Sequence, residues 1–150
     1  MKLKKTLNGL YLFLGCVGVI LLFRIIPHPP NFTPVIALRF YLPLFFGLWS
    51  IPFIILAFAT TDYFIGFHNL LIWTWGSLAI IGLISKYGGN FYSRFGMCII
   101  GSLLFFIFSN FGVWLTGSLY EITINGLITC YTMAIPFFSN TFLSTIIFAL

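Results

Sequence analysis

Nearly unbroken runs of apolar side chains are the feature that most constrains this sequence of 150 residues. Hydrophobic residues make up 61% of the chain and charged residues only 6%, too few to cover a water-soluble globule. A bilayer core of about 30 Å takes roughly 20 apolar residues per helix. The expected fold class is therefore an all-α integral membrane protein. It forms one domain, 1–150, a bundle of about six transmembrane helices at residues 7–26, 35–60, 63–85, 95–116, 122–135 and 140–150.

Three of these predicted segments differ from a simple transmembrane helix. The first is expected to be a retained span rather than a cleaved signal, because its apolar run continues to Ile26. The second contains Pro43 and Pro52, each of which removes a helix hydrogen bond. It is therefore either one kinked span or a re-entrant pair of half-helices. The last, residues 140–150, is too short to cross a bilayer unaided.

Lysines at the start of the chain predict its orientation. Lys2, Lys4 and Lys5 favour a cytoplasmic N-terminus. With six spans, three polar connectors then emerge together on the outer face: residues 27–34, the loop at 88–90 and the corner at 136–140. Lys86 and Arg94 would also lie outside, against the charge rule. Either the second segment is re-entrant, or these two residues serve a ligand.

The segment 27–34, called the proline hinge below, carries the most distinctive polar chemistry. It reads Pro27-His-Pro-Pro-Asn-Phe-Thr-Pro34, and Arg24 and Arg39 flank it. Arginine suits carboxylate and phosphate, and charge at membrane depth is costly enough to suggest function; snorkelling to headgroups is the alternative. The predicted substrate-binding residues are those of the hinge, its flanks and the 136–140 corner: Arg24, His28, Asn31, Phe32, Arg39, Phe137, Phe138 and Asn140.

A second possible cluster gathers polar residues from later segments: Asp62, His68, Asn110, Trp114, Cys130 and Tyr131. Asp62 is expected either to cap a helix or to pair with a basic residue of a neighbouring helix. Asn110 and Trp114 are four residues apart and share a helix face. Cys130 belongs to a stripe of small residues that allows close helix packing, or it supplies a soft ligand to a cavity.

Several classes of function have no support in the sequence. No nucleophile elbow, P-loop or HExxH motif occurs, so we expect no enzyme and no catalytic residues. Two histidines and two acidic residues are too few to predict a metal site, and no cofactor is expected. The seven basic residues are dispersed along the chain, which argues against a nucleic-acid partner.

Four motifs carry a resemblance to a known family. They are Arg24-Ile-Ile-Pro-His-Pro-Pro-Asn-Phe-Thr-Pro34, Ile65-Gly-Phe-His68, Asn110-Phe-Gly-Val-Trp114, and Cys130-Tyr131 followed by Ala134-Ile-Pro-Phe-Phe-Ser-Asn-Thr141. Together they resemble a bacterial family of small membrane proteins of unknown function, similar in pattern to the substrate-binding S components of energy-coupling factor vitamin transporters. The resemblance implies a location in the bacterial plasma (inner) membrane, six helices, cytoplasmic termini, an outward-facing ligand pocket, and a transmembrane coupling subunit with ATPases as partner. Gly9, Gly15 and Gly18 depart from the four-residue spacing used for that docking, so a solitary transporter stays open.

The sequence therefore leads to a function hypothesis with stated alternatives. The chain is expected to bind and help import a small vitamin-like molecule, with the lipid bilayer and that ligand as its partners. In a variant, Cys130 is an axial ligand to the cobalt of a corrinoid. The alternative from another class is a non-transporting structural or assembly subunit of a membrane complex.

Overall fold

The computed structural model describes the backbone of residues 2–150 and the side chains of residues 10, 11 and 13–150. Within these residues the fold is all helical, with six α-helices and no strand. The helices are α1 (Lys2–Ile25), α2 (Val35–Phe46), α3 (Ser50–Ile65), α4 (Leu71–Ile84), α5 (Phe91–Leu115) and α6 (Ile124–Ala149). A short 3-10 turn, Ser85–Tyr87, follows α4. The predicted all-helical class and the number of helices are confirmed, although the segments are divided differently.

The predicted second span, 35–60, is two helices rather than one kinked helix. Gly47 adopts a positive φ of 89°, which ends α2, and the Ser50 hydroxyl donates to the Gly47 carbonyl at 2.8 Å. Pro52 lies in the first turn of α3, where a helix needs no backbone N–H, so it starts a helix rather than bending one. The half-helix alternative is therefore the arrangement found, and α3 extends to Ile65, beyond the expected boundary at Thr60.

The predicted fifth and sixth spans form one helix. The 26 residues of α6 run through Pro136 without a break, so no corner exists at 136–140. The predicted third span, 63–85, begins later, at Leu71, because residues 66–70 form a loop opened by Gly66 at φ 116°. Apolar content sets where helices can occur, but it does not reveal which polar or glycine positions interrupt them.

Helix α2 is the centre of the bundle. It contacts each of the other five helices, and seven of its 12 residues are buried: Val35, Ile36, Ala37, Arg39, Phe40, Leu42 and Pro43. At about 1.5 Å per residue it is only about 18 Å long. The α2–α3 turn packs near the midpoint of α1, where the Phe13 ring lies 5.5 Å from Phe46 and 5.6 Å from Trp49.

Neighbouring helices alternate in direction, which gives the bundle two ends. Three contacts establish this: the Arg24–Asp62 ion pair, the Trp73–Phe111 rings at 5.4 Å, and the Arg94 guanidinium 5.7 Å from the Phe45 ring. The hinge end carries the proline hinge and residues 66–70 and 116–123. The terminal end carries residues 47–49 and 88–90 and the start of α1. The last turn of α6 instead reaches the proline hinge and the middle of α2: the Phe148 ring lies 6.2 Å from Phe32, and the Tyr41 hydroxyl donates to the Ala149 carbonyl at 2.9 Å.

This arrangement corrects the predicted set of three connectors on one face. The proline hinge and the 88–90 loop lie at opposite ends, and the 136–140 segment lies inside α6. Lys86 and Arg94 lie toward the terminal end, where α1 begins. Lys2, Lys4 and Lys5 are in the first turns of α1, and their side chains lie outside the described residues. A pocket made from all three connectors is therefore wrong.

The outer surface of the bundle is apolar. Large exposed hydrophobic residues occur on every helix, for example Leu22 at 55%, Leu56 at 60%, Ile72 at 83% and Ile128 at 59% of their surface. Two helices, α5 and α6, are long and apolar enough to cross a membrane, with mean hydropathies of 2.0 and 1.4. The other described apolar segments run for 10–17 residues, shorter than a full span.

The close approach of α4 to α5 gives a first test of this packing. A Cβ added at Gly112 would lie 2.2 Å from Cγ and 2.8 Å from Cβ of Trp73, atoms that cannot move without shifting α4. We expect Gly112→Ala to lower the free energy of unfolding by about 1–3 kcal/mol. Thermal unfolding in detergent measures the change.

Gly96, in the same helix, is the matched control because an added Cβ there meets nothing within 4 Å. Gly96→Ala should leave stability unchanged or raise it by up to about 1 kcal/mol, the helix-propensity gain. Equal losses for the two variants would contradict the α4–α5 packing.

Candidate functional site

The proline hinge is a tight turn encoded by its sequence. The Phe32 N–H donates to the Pro29 carbonyl at 3.0 Å, with Pro30 and Asn31 between them. Asn31 has a positive φ of 63°, as the third position of a type II turn requires, and proline suits the second. The Asn140 amide on α6 donates to the Pro30 carbonyl at 3.0 Å and ties the turn to that helix.

Below the hinge, three helices meet at an ion pair. Arg24 near the end of α1 contacts Asp62 near the end of α3, and the indole N–H of Trp75 donates to the other Asp62 oxygen at 2.8 Å. The Asp62 side chain is 2% exposed and that of Arg24 is 19% exposed. Both oxygens of this carboxylate are occupied, so its charge offsets Arg24.

Arg39 is the unusual residue of the site. It is completely buried in α2, and none of its three guanidinium nitrogens has a hydrogen-bond partner in the described structure. Its guanidinium carbon lies 3.6 Å from the centre of the Phe58 ring, and that of Arg24 lies 4.2 Å from it. Cation–π contact offsets only part of the cost of a buried charge. Arg39 is thus a buried cation whose guanidinium has no hydrogen-bond partner among the described residues.

A cavity of about 260 Å³, called the hinge cavity below, adjoins this group. Five of the predicted site residues line it: Arg24, His28, Asn31, Arg39 and His68. Asn31 and His68 are exposed and mark its mouth, whereas Arg39 and the buried Phe58 form its inner wall. The structure therefore brings the two arginines, both histidines and the hinge asparagine to one space.

The N-terminus of α2 opens onto the same cavity. Thr33, Val35 and Ile36 line it, and no side chain caps the helix at Pro34. The first N–H groups of a helix and its dipole favour negative charge. Arg39 lies about one turn into the helix, and helical side chains tilt toward the N-terminus. Both features therefore favour an anion in the hinge cavity.

The two histidines offer different groups to this space. The Leu70 N–H donates to Nδ1 of His68 at 3.2 Å, so a neutral His68 carries its proton on Nε2 and is a donor there. Nδ1 of His28 lies 2.6 Å from the Ile26 carbonyl and must donate to it, which leaves its Nε2 as an acceptor in the neutral form.

A second space of about 220 Å³, called the aromatic cavity below, adjoins the first. The two share four lining residues: Asn31, Thr74, Phe105 and Thr141. Phe106, Phe137 and Phe138 line its far part, and the Phe106 and Phe138 rings lie 4.7 Å apart. The predicted residues Phe137 and Phe138 therefore lie beside the site, in this second space rather than over the arginines.

Two predicted ligand contacts have structural partners instead. The Phe32 ring lies 6.2 Å from that of Phe148, near the C-terminal end of α6, and does not line either cavity. Asn140 is bound to the Pro30 carbonyl. Both residues hold the hinge in place.

The predicted second cluster is divided. Asp62 and His68 belong to the hinge cavity region, and the interhelical ion pair proposed for Asp62 is present. Asn110 lines the aromatic cavity. The Trp114 indole donates to the Glu121 and Thr123 carbonyls at 3.1 Å, where it orders the loop before α6.

Cys130 and Tyr131 join α6 to α5. Cys130 is 1% exposed, and its Sγ lies 3.4 Å from the Asn110 carbonyl. The Tyr131 hydroxyl donates to the Ile107 carbonyl at 2.7 Å. Neither residue lines a described cavity. These positions favour packing over the role of a cobalt ligand for Cys130.

Sequence reasoning missed several residues of the site: Phe58, Thr33, Thr74, Phe105 and Thr141. Phe58 had a detectable signal, because it precedes Asp62 by four residues and so shares its helix face. Thr74 and Phe105 had none, because isolated residues in apolar runs show no pattern until the helices pack.

A family model matches residues 4–150, nearly the whole chain, and its description is a family of unknown function, DUF6580. The chain belongs to this family. The predicted membership in a family of unknown function agrees with this result. Neither the curated proteins nor the solved structures contain a match. The likeness to S components stays a prediction.

The Arg24–Asp62 pair gives the second test. Arg24→Met and Asp62→Asn should each destabilise the protein, because each leaves a charge without its partner. The double variant should recover part of the loss, with a coupling of about 0.5–3 kcal/mol in a double-mutant cycle. Thermal unfolding of the four proteins measures it, and strictly additive losses would contradict the ion pair.

Proposed function

We propose that this protein is a multi-pass membrane protein that binds a small, vitamin-like anionic molecule in the hinge cavity and helps to import it. The observation that carries the proposal is Arg39, a fully buried cation in the wall of that cavity with no hydrogen-bond partner among the side chains and backbone that the structure describes. A buried, unpaired charge lowers stability. A bound anion would reverse this cost, because the guanidinium then gains charge-assisted hydrogen bonds.

Burial in a bilayer agrees with the surface of the bundle. Exposed apolar residues occur all along the helices, and α5 and α6 have the length of spans. Five of the seven basic residues, Lys2, Lys4, Lys5, Lys86 and Arg94, belong to segments at the terminal end. By the positive-inside rule this end faces the cytoplasm and the hinge cavity faces outward, as an importer of external solutes requires.

The broken α2–α3 pair supports binding rather than a purely structural role. In membrane transporters, helices that end within the bundle direct their N-termini at anionic groups of the substrate. The short α2 begins at the hinge cavity in this way and carries Arg39. We propose that the ligand's anionic group lies between the α2 N-terminus and the two arginines.

Arg39→Met is the decisive variant. It replaces an unpaired buried charge by an apolar side chain of similar length, so we expect the empty protein to become more stable by about 1–4 kcal/mol. We expect a small anionic molecule to co-purify with the wild type and to be lost from the Arg39→Met variant, as detected by mass spectrometry after denaturation. The Arg39→Met variant should thus lose ligand binding and gain stability.

Arg39→Lys is the control, since it keeps the charge but not the planar fork. It should retain weak binding. A stable Arg39→Met protein that still carries the same small molecule would contradict the site. A wild-type protein that is empty and remains empty after exposure to small anions would favour the assembly subunit instead.

The proposed orientation has its own test. In a background with Cys16, Cys98 and Cys130 replaced by serine, single cysteines are introduced at Ser118 and Gly89, which are exposed at opposite ends. An impermeant maleimide should label Ser118→Cys in intact cells and Gly89→Cys only in inverted vesicles. Labelling of both positions from the same side would contradict the alternating topology.

A further inference from the structure

The charges around the hinge cavity limit the charge of its ligand. Arg24 is balanced by Asp62, which also accepts from Trp75, so Arg39 is left as one uncompensated positive charge. In a low-dielectric interior one negative charge restores neutrality, whereas a dianion would leave an unpaired charge of the opposite sign. The site therefore favours a monoanion.

The arginine geometry favours a carboxylate as that monoanion. A guanidinium fork binds a carboxylate through two parallel hydrogen bonds, and the helix N-terminus adds further N–H donors. Arg39 has no solvent-exposed surface, so a neighbouring side chain must move for direct contact with a ligand. Arg24 is the neighbour with solvent access, at 19%. A small, flat carboxylate requires the smallest such movement.

The aromatic cavity provides room for the rest of such a molecule. It adjoins the hinge cavity across four shared lining residues, so one elongated molecule could occupy the two neighbouring spaces of about 260 and 220 Å³. Phe105, Phe106, Phe137 and Phe138 line the second space. Aromatic walls bind planar apolar groups by stacked or edge-to-face contact. The molecule is therefore longer than one anionic group and apolar in its body.

Three of the polar side chains that line the aromatic cavity use one donor each within their own helix. The hydroxyls of Ser109 and Thr141 and the amide of Asn110 each donate to a carbonyl one turn earlier, at 2.6, 3.1 and 2.7 Å. Their oxygen lone pairs remain and accept hydrogen bonds. A hydroxyl or ring N–H at the far end of the ligand matches these acceptors.

We infer that the ligand is an elongated monocarboxylic acid. Its carboxylate lies in the hinge cavity near Arg39, and its planar apolar body lies in the aromatic cavity. This inference rests on the proposed function and narrows it to a class of molecule. A phosphate monoester is disfavoured by charge, and a neutral molecule by the unpaired arginine.

Three probes and acetate test the class on the purified, detergent-solubilised protein. The probes are 3-phenylpropionate, its neutral amide and phenyl phosphate, each titrated by calorimetry. We expect 3-phenylpropionate to bind at least about 10-fold more tightly than acetate, because it buries additional apolar surface. The amide and the phosphate should bind at least about 10-fold more weakly than the acid, since neither matches one positive charge.

Ala134→Leu tests the position of the apolar body. Ala134 lines the aromatic cavity and is 6% exposed, so a larger side chain there fills the space. The variant should lose the preference for 3-phenylpropionate and keep its affinity for acetate. Met133→Leu, next to it but 62% exposed, is the control and should behave as wild type. Val113→Phe fills the same space from α5 and serves if Ala134→Leu does not fold.

The outcomes separate this inference from the proposed function. If acids bind in a way that depends on Arg39 but show no preference for length, and if filling the aromatic cavity changes nothing, the elongated ligand is overturned while anion binding stands. Tighter binding of phenyl phosphate or of the amide would overturn the monocarboxylate class. No binding of any anion by wild type, together with an empty purified protein, would overturn the proposed function itself.

Discussion

One buried positive charge, which has no hydrogen-bond partner in the described part of the chain, lies at the centre of this bundle. Arg39 lies in the helix that contacts all the others, and its guanidinium faces Phe58 with no hydrogen bond to any of its nitrogens. Packing in a core normally excludes such a group or pairs it. The nearby acidic residue, Asp62, instead pairs with Arg24 and accepts a hydrogen bond from Trp75. The bundle thus maintains an excess of one positive charge beside a cavity.

The short length of α2 makes this arrangement possible. A continuous helix over 35–60 would place its N-terminus and Arg39 beyond the core of the bundle. The site would then face the uncharged middle of that helix. Gly47 and Pro52 end one helix and start the next, so two antiparallel half-helices pack side by side. Their return turn lies against α1, and Phe58 and Asp62 of α3 are brought back to the level of Arg39 and Arg24. The break between α2 and α3 therefore brings residues of three helices, α1, α2 and α3, together at the site.

The hinge and α6 close the site from another side. The type II turn at Pro29–Phe32 fixes Asn31 at the cavity, and Asn140 holds the turn through the Pro30 carbonyl. Because α6 is continuous through Pro136, the same helix that anchors the hinge also supplies Phe137, Phe138 and Thr141 to the aromatic cavity. The two cavities consequently have wall residues in common, and most of these residues belong to helices rather than to a loop.

The sequence by itself determined the apolar, all-helical character of the chain, the hinge turn and the importance of its two flanking arginines. These follow from local rules: apolar runs, proline and asparagine preferences, and the cost of charge among apolar residues. Residues 24, 28, 31 and 39 were predicted for this reason, and they line one cavity together with His68, which had been assigned to the possible second cluster.

Only the tertiary structure decided how the helices divide and which ends meet. The predicted second span became two helices and the fifth and sixth became one, because a single glycine ends a helix that many apolar residues would continue, whereas a proline is tolerated within α6. The pairing of Arg24 with Asp62, and hence the isolation of Arg39, depends on residues 38 positions apart in the chain. No local pattern contains that information, since the partner of a charge is chosen by the packing of whole helices.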